Sequence, residues 1–151
     1  MEIMGLVIIV ILISLGLLFA IQFIVLRKPA DAKGVFTQKE MTSNTLNSLA
    51  LSTTTCSGLD MTELVQECAV GSTDIDCSGK NPCDFLKMVA GDVFSKTLKV
   101  WGKNYAFFVL KGKEKLVVVE NKGCAGTKDT SVYPIPAKYG GEGVVMRLEV
   151  C

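Results

Sequence analysis

Residues 3–26 carry no charged side chain; one carboxylate, Glu2, precedes the run and two cations, Arg27 and Lys28, follow it. No other feature restricts the fold so severely. Eighteen of these 24 residues are Leu, Ile, Val or Phe, interrupted by little more than Ser14 and Gln22. An amphipathic surface helix needs a polar stripe, and none exists. The branched residues at 7–13 would disfavour a lone helix in water, because they lose rotamer freedom there. In lipid or dry protein the backbone must satisfy its own hydrogen bonds, which favours helix. A helix of this length reaches roughly 36 Å, against about 30 Å for a bilayer core. Insertion would be favourable by several kcal/mol. The sequence therefore predicts a hydrophobic membrane or filament-core helix over residues 1–28. A buried helix of a soluble core is disfavoured, since such helices seldom run this long without a charge. A cleavable secretory signal is disfavoured too: the basic n-region and the small-residue cleavage pattern are missing.

The remaining chain has the length of one domain. Sixteen basic and 15 acidic residues leave a net charge of +1, which gives no reason to expect a nucleic-acid partner. There is no histidine, so acid–base catalysis and metal ligation both lose their commonest residue. All six cysteines, Cys56, Cys68, Cys77, Cys83, Cys124 and Cys151, lie beyond the apolar run. An even set of this kind implies a three-disulfide framework formed in an oxidising compartment. Zinc is poorly served, because no CxxC pair occurs. Fifteen connectivities are open; the pairing adopted is Cys56 with Cys68, Cys77 with Cys83, and Cys124 with Cys151, the last tying down a chain end that would otherwise fray.

Arg27 and Lys28 conflict with those cysteines. Cations beside a span normally stay cytoplasmic, whereas the disulfides place the large domain outside. A basic leader, removed before Met1, would reconcile the two.

A processed start, the all-apolar block MGLVIIVILISLGLLFAIQFIVL and a following β-rich domain together resemble the type IV pilins, in particular their archaeal branch with the archaellins. The likeness covers about the first 55 residues. It implies a leader peptidase, an assembly machinery, a helix that sits in the membrane first, and a filament of copies of the same subunit at the cell surface. It also implies filament-core roles for Glu2, Ile3, Gly5, Leu6, Ile9, Ile13, Gly16, Leu17, Phe19 and Phe23. Glu2 would pair with a neighbour's α-amine, although the bacterial pattern places its acid at position five, here Gly5. The alternative for Glu2 is a solvated residue favoured by the helix dipole.

Pro29 disfavours helix in the residue before it, and residues 29–34, from Pro29 to Gly34, read as a hinge. An extracellular globular domain is expected over 35–151. It begins with an amphipathic helix at 35–51 on the spacing of Val35, Phe36, Met41, Thr45, Leu46, Leu49 and Ala50. The Ser/Thr-rich end of that helix, SLALSTTT, could bear only O-linked sugar, since no N-x-[ST] site occurs. A short helix is expected at 59–70, with Asp60 and Glu63 as a capping box. A third starts at Asn81 and Pro82; Gly91 is an alternative end for it, which would leave 93–100 free to be a strand, and Trp101 is expected as core filler. Strands at 105–110 and 116–120 flank KGKEK as a hairpin. Residues 121–143 read as loop with a short strand at 132–135, and 144–150 closes the sheet. Tyr133 and Tyr139 are candidates for adhesion. Asp74, Asp76 and Asp84 read as solvated loop acids, since no EF-hand loop is present.

The expected fold class is α+β: a long N-terminal hydrophobic helix, then a disulfide-stapled domain with short helices and an antiparallel sheet. The expected function is a structural subunit of an extracellular type IV pilus-like filament, used for adhesion or surface contact. The alternative is a single-span anchor presenting a binding module that never polymerises. No enzyme, cofactor or metal is expected, and a redox site at Cys77 and Cys83 is a remote third reading.

Overall fold

The computed structural model describes residues 2–26, 30–72, 74–122, 124 and 126–151; within the first two helices the side chains described are residue 5, residues 7–22 and those from 37 onward. The chain divides into two compact units, Met1–Phe36 and Thr37–Cys151.

The first unit contains α1 (Glu2–Leu26), continuous over 25 residues. Among the described residues, no helix is long and apolar enough to cross a membrane. The membrane helix expected over 1–28 is corrected on that finding. The architecture is α+β, with four helices and a four-stranded antiparallel sheet among the described residues.

Helix α2 (Ala30–Ala50) starts ahead of the expected Val35, so Gly34 lies inside a helix and not in a hinge. Pro29 lies outside the described residues. One mid-helix glycine costs about 1 kcal/mol, and Ala30, Ala32 and Lys33 around it are good helix formers. In the second unit, Thr42, Leu46, Leu49 and Ala50 form the buried face of α2, the spacing of one helical stripe. The buried Thr42 hydroxyl donates to Gln38 O at 2.9 Å.

Helix α3 (Met61–Val70) has the expected capping box. Glu63 N–H donates to Asp60 Oδ1 at 2.7 Å, and Asp60 N–H donates to Glu63 Oε2 at 3.1 Å. Gly71, at φ 70°, ends the helix in the left-handed conformation that glycine tolerates best. Helix α4 (Pro82–Lys96) begins at the Asn81 cap, with Pro82 in its first turn. It passes straight through Gly91, so the strand considered for 93–100 does not form. A Cβ at Gly91 would sit 3.7 Å from Val119 Cγ1, an ordinary contact distance, so this face of α4 lies against the sheet.

The sheet has the order β2-β1-β4-β3. Strands β1 (Tyr105–Lys111) and β2 (Glu114–Glu120) form the hairpin, with a turn of only Gly112 and Lys113. The rest of KGKEK is strand. β3 (Asp129–Ile135) is longer than the segment expected at 132–135, and β4 (Val144–Val150) lies where expected. The β1–β4 register pairs Tyr105 with Val150, Phe107 with Leu148 and Val109 with Met146. These residues are buried and carry the core face of the sheet. Phe94 of α4 packs on it, with ring centroids 5.3 Å from Tyr105 and 5.2 Å from Phe107.

Three disulfides staple this unit, and only one pairing matches expectation. Cys124–Cys151 is present, but Cys56 joins Cys77 and Cys68 joins Cys83. The reason is helical. α3 carries Cys68 about 10 Å along its axis from Met61 and delivers it to the first turn of α4. There its Cα lies 4.7 Å from that of Cys83, within disulfide reach. Cys77 and Cys83 thus belong to different bridges, which corrects the redox reading of that pair.

Candidate assembly surface

The most unusual surface of the chain is α1. Every large apolar side chain described from Val7 to Ile21 is at least 49% exposed, including Ile9, Ile13, Leu17 and Phe19, and Leu12 reaches 65%. Consecutive residues point in directions 100° apart, so exposure of the whole run means exposure on every face. The one hydroxyl within it is satisfied internally: Ser14 Oγ donates to Ile11 O at 2.9 Å. Nothing in the stretch asks for water. Summed over the run, the exposed apolar area is roughly 1,000 Å² or more, against the few hundred that a monomer usually shows. At about 25 cal/mol per Å², leaving it wet forgoes tens of kcal/mol. A helix apolar all round belongs in a packed interior.

Gly5 and Gly16 have open space where a Cβ would stand. They leave shallow places on the helix where another backbone could approach. For Glu2, Ile3, Leu6 and Phe23 the structure gives the α1 backbone, and their side chains lie outside the described residues.

The second unit shows a different chemistry. On the outer face of the sheet, Glu149 is buried and holds two cations: Lys128 Nζ donates to its Oε2 at 2.7 Å, and Arg147 pairs with its Oε1. Burial pushes the Glu149 carboxyl upward, but the Lys128 hydrogen bond and the charges of Arg147 and Lys128 outweigh it, leaving the group below the ordinary carboxylate range. A second buried acid, Glu67 of α3, pairs with Lys138 from the segment after β3. Gln66 Nε2 donates to Pro136 O at 2.8 Å, and Lys111 Nζ to Ala69 O at 2.9 Å. Residues 136–138 and the end of β1 are thereby tied to α3. The Lys138 ammonium is held above its usual range, chiefly by its hydrogen bond to Glu67. β-strand alternation carries a signal for the first cluster. Glu149 and Arg147 fall out of phase with Val144, Met146, Leu148 and Val150, so they share one face. Lys128, Glu67 and Lys138 arrive through tertiary contact and have no such signal.

Of the aromatic candidates, Tyr133 is half-buried against the core, whereas Tyr139 is exposed, with Lys138 Nζ 5.6 Å above its ring. Trp101, expected in the core, is 57% exposed. α4 ends at Lys96, and a turn takes Trp101 off its apolar stripe. Asp76 accepts from Gly79 N–H at 2.6 Å and Asp84 sits in the first turn of α4; no group of three metal-capable side chains gathers among the described residues. No family model, curated protein or solved structure matches the chain.

Proposed function

We propose that the chain is a structural subunit of an extracellular, type IV pilus-like filament, in which α1 helices of successive copies bury one another in a common core. The observation that carries this reading is the all-round apolar exposure of residues 7–21. A one-sided apolar face calls for one partner; an apolar surface on all sides calls for several, which a bundle of identical helices supplies. The contact is heterologous, because a helix at one end of the chain packs among other copies at successive heights. Such contacts propagate instead of closing. Three disulfides support an outward-facing second unit, since these bridges persist in oxidising compartments. Adhesion or contact with a surface is the role such a sheath would serve.

The test has two parts. Extracellular material sheared from cells should contain filaments by electron microscopy, with this chain as their subunit by mass spectrometry. Leu12→Lys should then abolish them, because an unpaired charge buried among α1 helices costs several kcal/mol per copy. The variant's second unit should keep its three disulfides and its unfolding midpoint, since Leu12 lies outside it. Filaments that form normally with Lys at position 12 would exclude α1 as the core, and solitary chains with no filament would exclude the reading altogether.

A further inference from the structure

A groove of about 440 Å³ runs in the second unit between the far half of α2 and the end of α4, lined by Met41, Asn44, Thr45, Ser48, Val93 and Trp101 among others. Its size is that of small-ligand sites, about 300–1,000 Å³. We propose that this groove binds an uncharged oligosaccharide, with the Trp101 indole as stacking platform.

Three observations carry the assignment. First, the nine lining residues include no Asp, Glu, Lys or Arg, in a chain where about a fifth of residues are charged. A charged ligand would find no counter-ion. Second, the polar groups that line it are hydroxyls and one amide. Asn44, Thr45 and Ser48 lie on one helical stripe at i, i+1 and i+4, and they form no side-chain hydrogen bond among the described residues. Thr97 donates to Val93 O at 2.7 Å and Ser52 to Leu49 O at 2.7 Å, so their oxygens remain free to accept. Sugar hydroxyls, which both donate and accept, match that mixture. Third, Trp101 is exposed yet stands on a rigid turn. Its N–H donates to Thr97 O at 3.1 Å, and the turn is closed by Lys103 N–H on Leu98 O at 2.9 Å and Lys99 N–H on Phe94 O at 3.1 Å. An aromatic side chain has only two rotatable bonds, so an indole on a fixed backbone loses little entropy when the C–H face of a sugar ring settles on it.

All nine lining residues belong to the second unit, and sugar binding does not depend on whether the chain polymerises. Trp101 is the only tryptophan, so its emission reports on the groove alone. The full chain, dispersed in a polyoxyethylene detergent free of sugar, is titrated with neutral hexasaccharides of glucose, mannose and N-acetylglucosamine. A saturable change in emission is expected with at least one of them below about 10 mM, the weak end of single-site affinities. By calorimetry, Trp101→Ala should weaken that binding about tenfold or more and Trp101→Phe should restore part of it. Asn44→Ala with Ser48→Ala should weaken it several-fold without moving the unfolding midpoint. The proposal is overturned if none of the three sugars gives a saturable change, or if Trp101→Ala binds as tightly as the native chain. An emission change that follows protein dilution with no sugar present would also overturn it, by making the groove a contact between copies.

Discussion

Replacing Cys68 and Cys83 together by alanine tests the helix-based pairing and its energetic weight at once. The bridge spans 15 residues and joins the end of α3 to the start of α4. Loop-closure entropy for a span of that length is worth about 3 kcal/mol at 25 °C, through restriction of the unfolded chain. Removing the buried Cys68 sulfur adds a packing loss of about 1 kcal/mol or less. The expected total, about 3–4 kcal/mol, is a large part of the roughly 5–15 kcal/mol that holds a domain of this size. In guanidinium, with a slope of about 3–5 kcal/mol per M, the midpoint should fall by about 1 M. Far-UV circular dichroism is the suitable signal, because exposed Trp101 reports poorly on the core. The pairing is read in the same sample by thiol titration of the denatured variant. With Cys56 bonded to Cys77, no free thiol should appear. With the pairing expected from sequence, Cys56 and Cys77 would each lose their partner and both would react. Two reactive thiols would refute the derived connectivity. A midpoint shift below about 0.2 M at unchanged slope would refute the loop-closure estimate.

Two further outcomes follow from the charged side chains. Glu149→Gln should destabilise the second unit by about 1–3 kcal/mol at neutral pH, the value for a buried acid discounted because Lys128 and Arg147 are partly exposed. The folded-state pKa of Glu149 lies below its ordinary 4.5, so its contribution is complete above that value and is lost as pH falls through the folded pKa. Melting temperature followed below pH 4.5 should therefore drop less steeply in Glu149→Gln than in the native chain, and equal slopes would exclude the ion cluster as a source of acid sensitivity. Asp60→Ala should cost about 1 kcal/mol by loss of the α3 cap. The Thr62 and Glu63 bonds hold the Asp60 carboxyl below its usual range, so the loss should fade in acid, as seen by urea unfolding at two pH values.

Local chemistry made the starts of α3 and α4 legible. Asp60 and Glu63 satisfy each other's backbone donors, Asn81 accepts from Asp84 N–H, and Pro82 brings no donor to the first turn; no distant contact can easily overrule that. β4 was legible for the same reason, since its alternation is complete within seven residues. Where the sequence misled, the deciding contact lay far along the chain. β3 contains Ser131 and Pro134, a poor strand by composition. It forms because β4 offers a paired edge, and proline is tolerated on an outer strand of the sheet. Gly91 looked like a helix end, yet α4 runs through it and packs its far half on the sheet, with Phe94 against Tyr105 and Phe107.

The candidate surfaces divide along the same line. The apolar exposure of α1 follows from composition alone, because a run without polar residues has no face to hide. The groove at Trp101 could not be foreseen, because it depends on where α4 stops. Had the helix continued past Lys96, the spacing of Phe94, Leu98 and Trp101 would have placed the indole on the buried stripe. The helix stops at Thr97, whose backbone leaves the helical region at φ −111° and ψ −82°, and the Lys99 amide then bonds Phe94 O, five residues back instead of four. Leu98 stays buried while Trp101 is carried out beside Asn44 and Ser48. One turn of backbone thus decides whether the only indole of the chain serves the core or the surface.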